Sequence, residues 1–194
     1  MAFKAAMNMS DTVLSASNGS PSKASCIATL VPRSSAWVVS CLFAIRLGAP
    51  LLALSGDLCS AEEVQRNREA LAEHRPSIVI LDGSLRDSAA AGPLDEQGTW
   101  PTVEVATLLS AIGVHKPLPQ LQSRSADDVL YFVYTGGTTS ASKCAAVTHR
   151  MALHELEVYP KISPLECTDR VLHQTSAFWG ATSMGWSSRG YTRD

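Results

Sequence analysis

Three short apolar runs are spaced by two stretches that carry their own helix boundaries, and this alternation constrains the fold more than any other feature. The runs are Cys26–Val31 (CIATLV), Leu51–Leu54 (LLAL) and Ser77–Leu81 (SIVIL). Between the first two lies the expected helix Ser34–Leu47, with Pro32 close to its start, where a missing N–H costs little, and Gly48 closing it. Between the second and third, Ser60-Ala61-Glu62-Glu63 reads as a capping box: the Ser60 hydroxyl can accept from the Glu63 amide, and the Glu63 carboxylate can reach back. That helix runs to about His74, with Ala61, Val64, Leu71 and Ala72 as its thin apolar stripe, and Pro76 stops it. The third run is apolar throughout, as expected when both faces of a strand are covered. Strand, helix, strand, helix, strand implies right-handed crossovers, so the expectation is an α/β fold: a largely parallel sheet with helices on both faces.

The rest of the chain is less regular. Residues Met1–Lys23, rich in Ser, Asn, Gly and Ala, read as a disordered leader. Asp82–Ser125 is dominated by Gly, Pro, Ser, Asp and Gln, so it is expected to be a long connection, with one short strand or helix around Val103–Ile112. Val129–Tyr134 (VLYFVY) is strongly strand-prone. A short strand is expected at Ala145–Val147, a helix over Thr148–Val158 and another strand at Arg170–Gln174, with residues 187–194 as a polar tail.

Bulk properties narrow the function classes. The formal charge is −2, so no broad basic surface points to nucleic acid. Cys26, Cys41, Cys59, Cys144 and Cys167 are scattered and form no Cys-x-x-Cys pair, which fits reduced thiols in the cytoplasm rather than a zinc or redox motif. Ala36–Leu54 is apolar, but Arg46, Gly48 and Pro50 interrupt it, so no membrane span is expected. The five histidines show no metal spacing, and no metal ligands are assigned.

The chemistry is expected in Tyr134–Lys143 (YTGGTTSASK), which leaves the strand-prone run. Gly136 and Gly137 let backbone amides approach an anion and permit positive φ. Successive amides in such a turn form a concave anion site. Thr135, Thr138, Thr139 and Ser140 add hydroxyl donors, and Lys143 adds a point charge that can follow a phosphate. Each bond to a charged group contributes ~1.5–3 kcal/mol, so several together reach the ~8 kcal/mol of a micromolar phosphate site. The bland alternative is a solvated Ser/Thr/Gly turn. A second alternative is a P-loop NTPase, since Gly137–Cys144 falls on G-x-x-x-x-G-K-[ST]; however, Ser142 replaces its second glycine and Cys144 its magnesium-binding hydroxyl.

The same residues resemble the adenylate-forming, or AMP-binding, superfamily, which includes acyl-CoA synthetases and the adenylation domains of nonribosomal peptide synthetases. Its signature, Y-T-S-G-[ST]-T-G-x-P-K-G, is matched at Tyr134, Thr135, Gly137, Thr138, Thr139 and Lys143, followed by Thr148-His149-Arg150. The chain departs from it at Gly136, Ser140, Ser142 and Cys144. Ile45–Leu51, Ser60–Asp82 and Asp169–Leu172 are similar to further segments of the family in the same order. The resemblance implies the N-terminal portion of the family's large domain over residues 24–186, incomplete, with the small C-terminal domain absent. It implies a ligase that activates a carboxylic acid with ATP and Mg2+ to an acyl-adenylate. The acyl group would then pass to a thiol, either CoA or the phosphopantetheine of a carrier domain. It also implies that Thr135, Gly136, Gly137, Thr138, Thr139, Ser140 and Lys143 bind the nucleotide phosphates; it identifies no catalytic residue.

In amino-acid-activating relatives a Phe-Asp pair follows the Asp-Arg-Val-Leu segment, and its Asp binds the substrate amine. Here Phe178 and Trp179 stand there, so they are candidates for the substrate pocket, and a substrate without the usual α-amine is expected; otherwise they are core aromatics. His149 and Arg150 are expected to cap and pack, and Asp127 and Asp128 to lie in a solvated turn. The four departures also leave room for a degenerate nucleotide-binding or interaction module that does not turn over. A lone N-terminal portion would expose apolar faces, so marginal stability is expected.

Overall fold

The computed structural model describes residues 26–56, 60–96, 100–110, 124–135, 143–163 and 168. Among the described residues there are six strands: β1 (Ile27–Leu30), β2 (Leu51–Ala53), β3 (Ile78–Leu81), β4 (Thr102–Glu104), β5 (Val129–Thr135) and β6 (Lys143–Thr148). The helices are α1 (Ser35–Leu47), α2 (Ala61–His74), α3 (Gly92–Glu96), α4 (Val105–Ser110) and α5 (His149–Ile162). The strands form one sheet in the order β4-β3-β1-β2-β5-β6, parallel except for the antiparallel pair β5–β6.

Both faces are covered, which is why β1 and β3 are apolar at every position but Thr29. Ile27, Leu51, Ile78 and Ile80 pack with Trp37, Phe43 and Ala44 of α1 and with Val105 of α4. Ala28, Leu30, Leu52, Val79 and Leu81 face the opposite way, onto Ala70 and Leu71 of α2 and Leu94 of α3. Side chains of successive strand residues point to opposite faces, so each strand feeds both cores.

The boundaries follow local chemistry. Ser34 caps α1 by accepting from the Trp37 amide at 3.4 Å, and Ser60 caps α2 by accepting from the Glu63 amide at 3.2 Å. The Glu63 carboxylate pairs with Arg66 at 3.3 Å. Gly48 ends α1 at φ +63, with its amide on Ile45 O and the Ala49 amide on Ala44 O, both at 3.0 Å. These two bonds satisfy carbonyls that the last helical turn leaves over. The guanidinium of Arg124, from the segment entering β5, lies against Gly48 and donates to Leu47 O at 3.3 Å.

Three expectations are corrected. Asp82–Ser125 holds more order than one short element: a 3-10 turn at Gly83–Leu85, then α3, β4 and α4. β6 spans Lys143–Thr148 rather than three residues, and α5 runs to Ile162, past Val158 and through Pro160. Pro160 lies in the last turn, near the helix end, where a lost interior bond matters least. The leader, the expected strand at Arg170–Gln174 and the tail lie outside the described residues. No described helix is long and apolar enough to cross a membrane.

Candidate functional site

β5 runs parallel to β2, pairing Leu51 with Tyr131 and Leu52 with Phe132, so Thr135 ends at the sheet edge where the other parallel strands also terminate. Ligands of open α/β sheets bind at this carboxyl edge. β6 then returns antiparallel, in a register that sets Tyr134 against Cys144 and Thr135 against Lys143. The hairpin therefore holds Thr135 and Lys143, which flank residues 136–142, one strand spacing apart at that carboxyl edge. Lys143 is exposed there. Gly136, Gly137, Thr138, Thr139 and Ser140 lie outside the described residues, as do Phe178 and Trp179, and of Thr135 only the backbone is described.

A P-loop lysine opens a helix. Lys143 opens a strand instead, so the P-loop alternative is dropped.

The opposite end of the hairpin is closed by Thr148-His149-Arg150. Thr148 caps α5 by accepting from the Met151 amide at 3.3 Å. The His149 amide donates to Asp128 O at 3.1 Å and the Arg150 amide to Ala126 O at 2.7 Å. The Arg150 guanidinium grips both carboxylate oxygens of Asp127, at 2.8 and 3.0 Å, holding that carboxyl below its usual range. The first free amides of α5 are thus taken by the turn before β5. The cap of α5 is Thr148 rather than His149 or Arg150, whose backbone amides bind the turn while the Arg150 side chain stays exposed; Asp127, as expected, lies in an exposed turn. This ion pair is solvated, and exposed pairs add little. Arg150→Ala is therefore expected to leave the thermal midpoint essentially unchanged; a clear drop in a melting scan would show the pair to be structural.

On the α2 side, the hairpin meets residues that sequence reasoning did not connect. The His74 ring stacks against Phe132 with centroids 4.2 Å apart, and its Nε2 is 3.4 Å from Cys144 Sγ. Glu73 is 3.9 Å from the same nitrogen. Burial lowers the pKa of His74, whereas burial foremost raises those of Cys144 and Tyr134, so burial favours the uncharged form of all three. No local signal joins residues 70 positions apart, so only the fold reveals this contact. Among the described residues, no three acidic, imidazole or thiol groups could hold a metal ion, so none is assigned to magnesium.

Comparison with known proteins agrees with this fold. The family described as AMP-binding enzyme matches residues 13–188. The chain is 26% identical over 151 residues to a linear gramicidin synthase of Brevibacillus parabrevis, covering 77% of this chain and 3% of that protein. It is 26% identical over 162 residues to nonribosomal peptide synthetase 7 of Aspergillus fumigatus, covering 84% of this chain and 6% of that protein. The chain thus spans only a small part of either relative. Among solved structures, o-succinylbenzoate CoA synthetase of Bacillus subtilis, in complex with its acyl-adenylate intermediate, superposes with a TM-score of 0.68 at 18% identity. That match covers 96% of this chain and 46% of the other.

Proposed function

Because the chain belongs to the AMP-binding enzyme family, we propose that it supplies the phosphate-holding part of an adenylate-forming ligase. In that reaction a carboxylate oxygen of the acid attacks the α-phosphorus of ATP, the bond to the β-phosphate bridge breaks, and pyrophosphate leaves. The acyl group then passes from AMP to a thiol, of CoA or of a carrier-domain phosphopantetheine. One observation carries this reading: a hairpin at the ligand-binding edge pins both ends of the Gly136–Ser142 segment and presents Lys143 to solvent.

The roles follow from residue type. The amides of Gly136 and Gly137 and the hydroxyls of Thr135, Thr138, Thr139 and Ser140 would hold the β- and γ-phosphates, with Lys143 countering their charge. Such a grip fixes the leaving group while the α-phosphorus is attacked, which is catalysis by positioning and charge stabilisation. Magnesium, which the family typically uses with ATP, would further neutralise the phosphates. Phe178 and Trp179 are proposed to border the acid; with Trp179 at the position of an amine-binding Asp, the acid would lack a free α-amine. The proposed domain covers residues 24–186, with residues 1–23 and 187–194 outside it, and a cytoplasmic setting suits the free thiols Cys26, Cys41 and Cys144.

Calorimetric titration with MgATP tests the reading. Lys143→Ala removes one charge-assisted contact worth ~1.5–3 kcal/mol, so affinity should fall by about 10–100-fold. Equal affinity of variant and parent, or no binding by the parent, would sink it. A second reading, nucleotide binding without turnover, is favoured by the departures at Gly136, Ser140, Ser142 and Cys144 from the resembling signature. ATP–pyrophosphate exchange over a panel of carboxylic acids separates the two, since only the ligase exchanges.

A further inference from the structure

The cluster beneath the hairpin holds a nucleophile, a base and a buried unsatisfied donor within one contact of the candidate phosphate site. Cys144 is half-buried, and its Sγ lies 3.4 Å from His74 Nε2. The His74 ring is fixed by its stack on Phe132. Across the hairpin, Tyr134 is 5% exposed; its hydroxyl lies beside the same sulfur but has no partner at hydrogen-bond geometry among the described residues. The other described thiols differ. Cys26 is buried and donates to His74 O at 3.6 Å, and Cys41 packs against the core on the α1 face. Cys144 is thus the described thiol with both a base beside it and partial access to solvent.

We propose that Cys144 is a thiol-modification site, in which His74 serves as the proton acceptor and low-molecular-weight disulfides are the co-reactant. The Cys144 S–H proton passes to His74 Nε2, and the sulfur attacks one sulfur of the disulfide. The disulfide bond breaks as the new S–S bond forms, and the departing thiolate takes the proton back from the imidazolium. The protein thiol is oxidised, half of the reagent is reduced, and excess thiol reverses the step. Burial keeps the thiol protonated at rest, so its reaction is slow without the imidazole. With His74 Nε2 3.4 Å away and Tyr134 paired across the strands, a group attached to the half-buried Cys144 is expected to strain the Tyr134–Cys144 pair, next to the Thr135–Lys143 pair that roots the candidate phosphate loop. Modification and nucleotide binding therefore oppose each other, and the opposition is reciprocal. This last coupling rests on the proposed phosphate site; the modification chemistry does not.

The test incubates the full chain with oxidised glutathione, with and without MgATP, and maps each cysteine by peptide mass. Cys144 should be modified, with the rate falling at least about tenfold in His74→Gln, which lacks a comparable base. MgATP should slow it, the modified chain should bind MgATP at least tenfold more weakly, and dithiothreitol should restore binding. Cys144→Ser, which keeps a small polar side chain, should bind MgATP like the parent and ignore the disulfide. An unmodified Cys144, or an unchanged rate in His74→Gln, overturns the site. Modification with unaltered MgATP affinity overturns the coupling. A parent chain that does not bind MgATP refutes the proposed function instead, and the His74 dependence of labelling still decides the site.

Discussion

Urea denaturation of Gly48→Val is expected to show an unfolding free energy about 2–5 kcal/mol below the parent. Gly48 sits at φ +63, where an L side chain costs ~1–2 kcal/mol, and a β-branched one is the poorest choice. A Cβ there would also fall 2.1 Å from Arg124 Nε and 2.6 Å from its Cζ. The guanidinium must withdraw and give up Leu47 O, adding overpacking strain of ~1–3 kcal/mol. The loss is a large share of the 5–15 kcal/mol typical of a domain. Gly48→Asn tolerates the left-handed backbone better but still carries a Cβ, so it should fall between valine and the parent. Equal midpoints and slopes for Gly48→Val and parent would mean that Arg124 does not pack there.

Asn67→Leu should cost a comparable amount, about 2–6 kcal/mol, although the two side chains are similar in volume. Asn67 is 2% exposed in the middle of α2. Its amide oxygen accepts from Ser55 N at 2.8 Å, and its nitrogen donates to Ser55 O at 2.9 Å and Ala90 O at 3.4 Å. One side chain thus stands in for a strand partner just beyond β2 and also ties α2 to the segment before α3. Leucine leaves the Ser55 amide and carbonyl buried without it, at ~1–3 kcal/mol each. Urea titration measures the total, and hydrogen exchange localises it: the Ser55 amide should lose protection before β1 or β3. Full protection at Ser55 in the variant would refute the assignment.

These two positions also mark how far the sequence could be read. Gly48 was legible because a glycine after an apolar helical stretch acts through local backbone geometry, and Ser60 because a cap acts locally too; Ser34, read as the first helical residue, caps the helix instead. The alternating βα order of residues 26–81, the strand at Val129–Tyr134 and the return strand before Thr148 could be read from apolar runs and turn residues alone. Asn67 could not, because its partners Ser55 and Ala90 lie far along the chain. α3 escaped because five residues beginning Gly-Pro carry no periodicity; it is helical because Leu94 docks on the α2 face. β4 escaped because Thr-Val-Glu is only a half-buried edge strand, held in register by Val79–Leu81. For the candidate site, Lys143 was singled out from the signature, but the return strand was read as Ala145–Val147 and Thr148 as a helical residue, whereas β6 begins at Lys143 and Thr148 caps α5. The His74–Cys144 contact was not, since it arises only when α2 is laid across the hairpin.

The hairpin's attachments also determine how its tip can respond to force. β5 is bound to β6 from Val129–Thr148 through Thr135–Lys143, with one irregular step near Leu130, yet it meets β2 only through Leu51–Tyr131 and Leu52–Phe132. A ribbon stiff along its length and stitched to its neighbour over so short a seam tilts as one body before it frays. A push on its flank is therefore shared by both strands, and α2 packs there through His74 against Phe132.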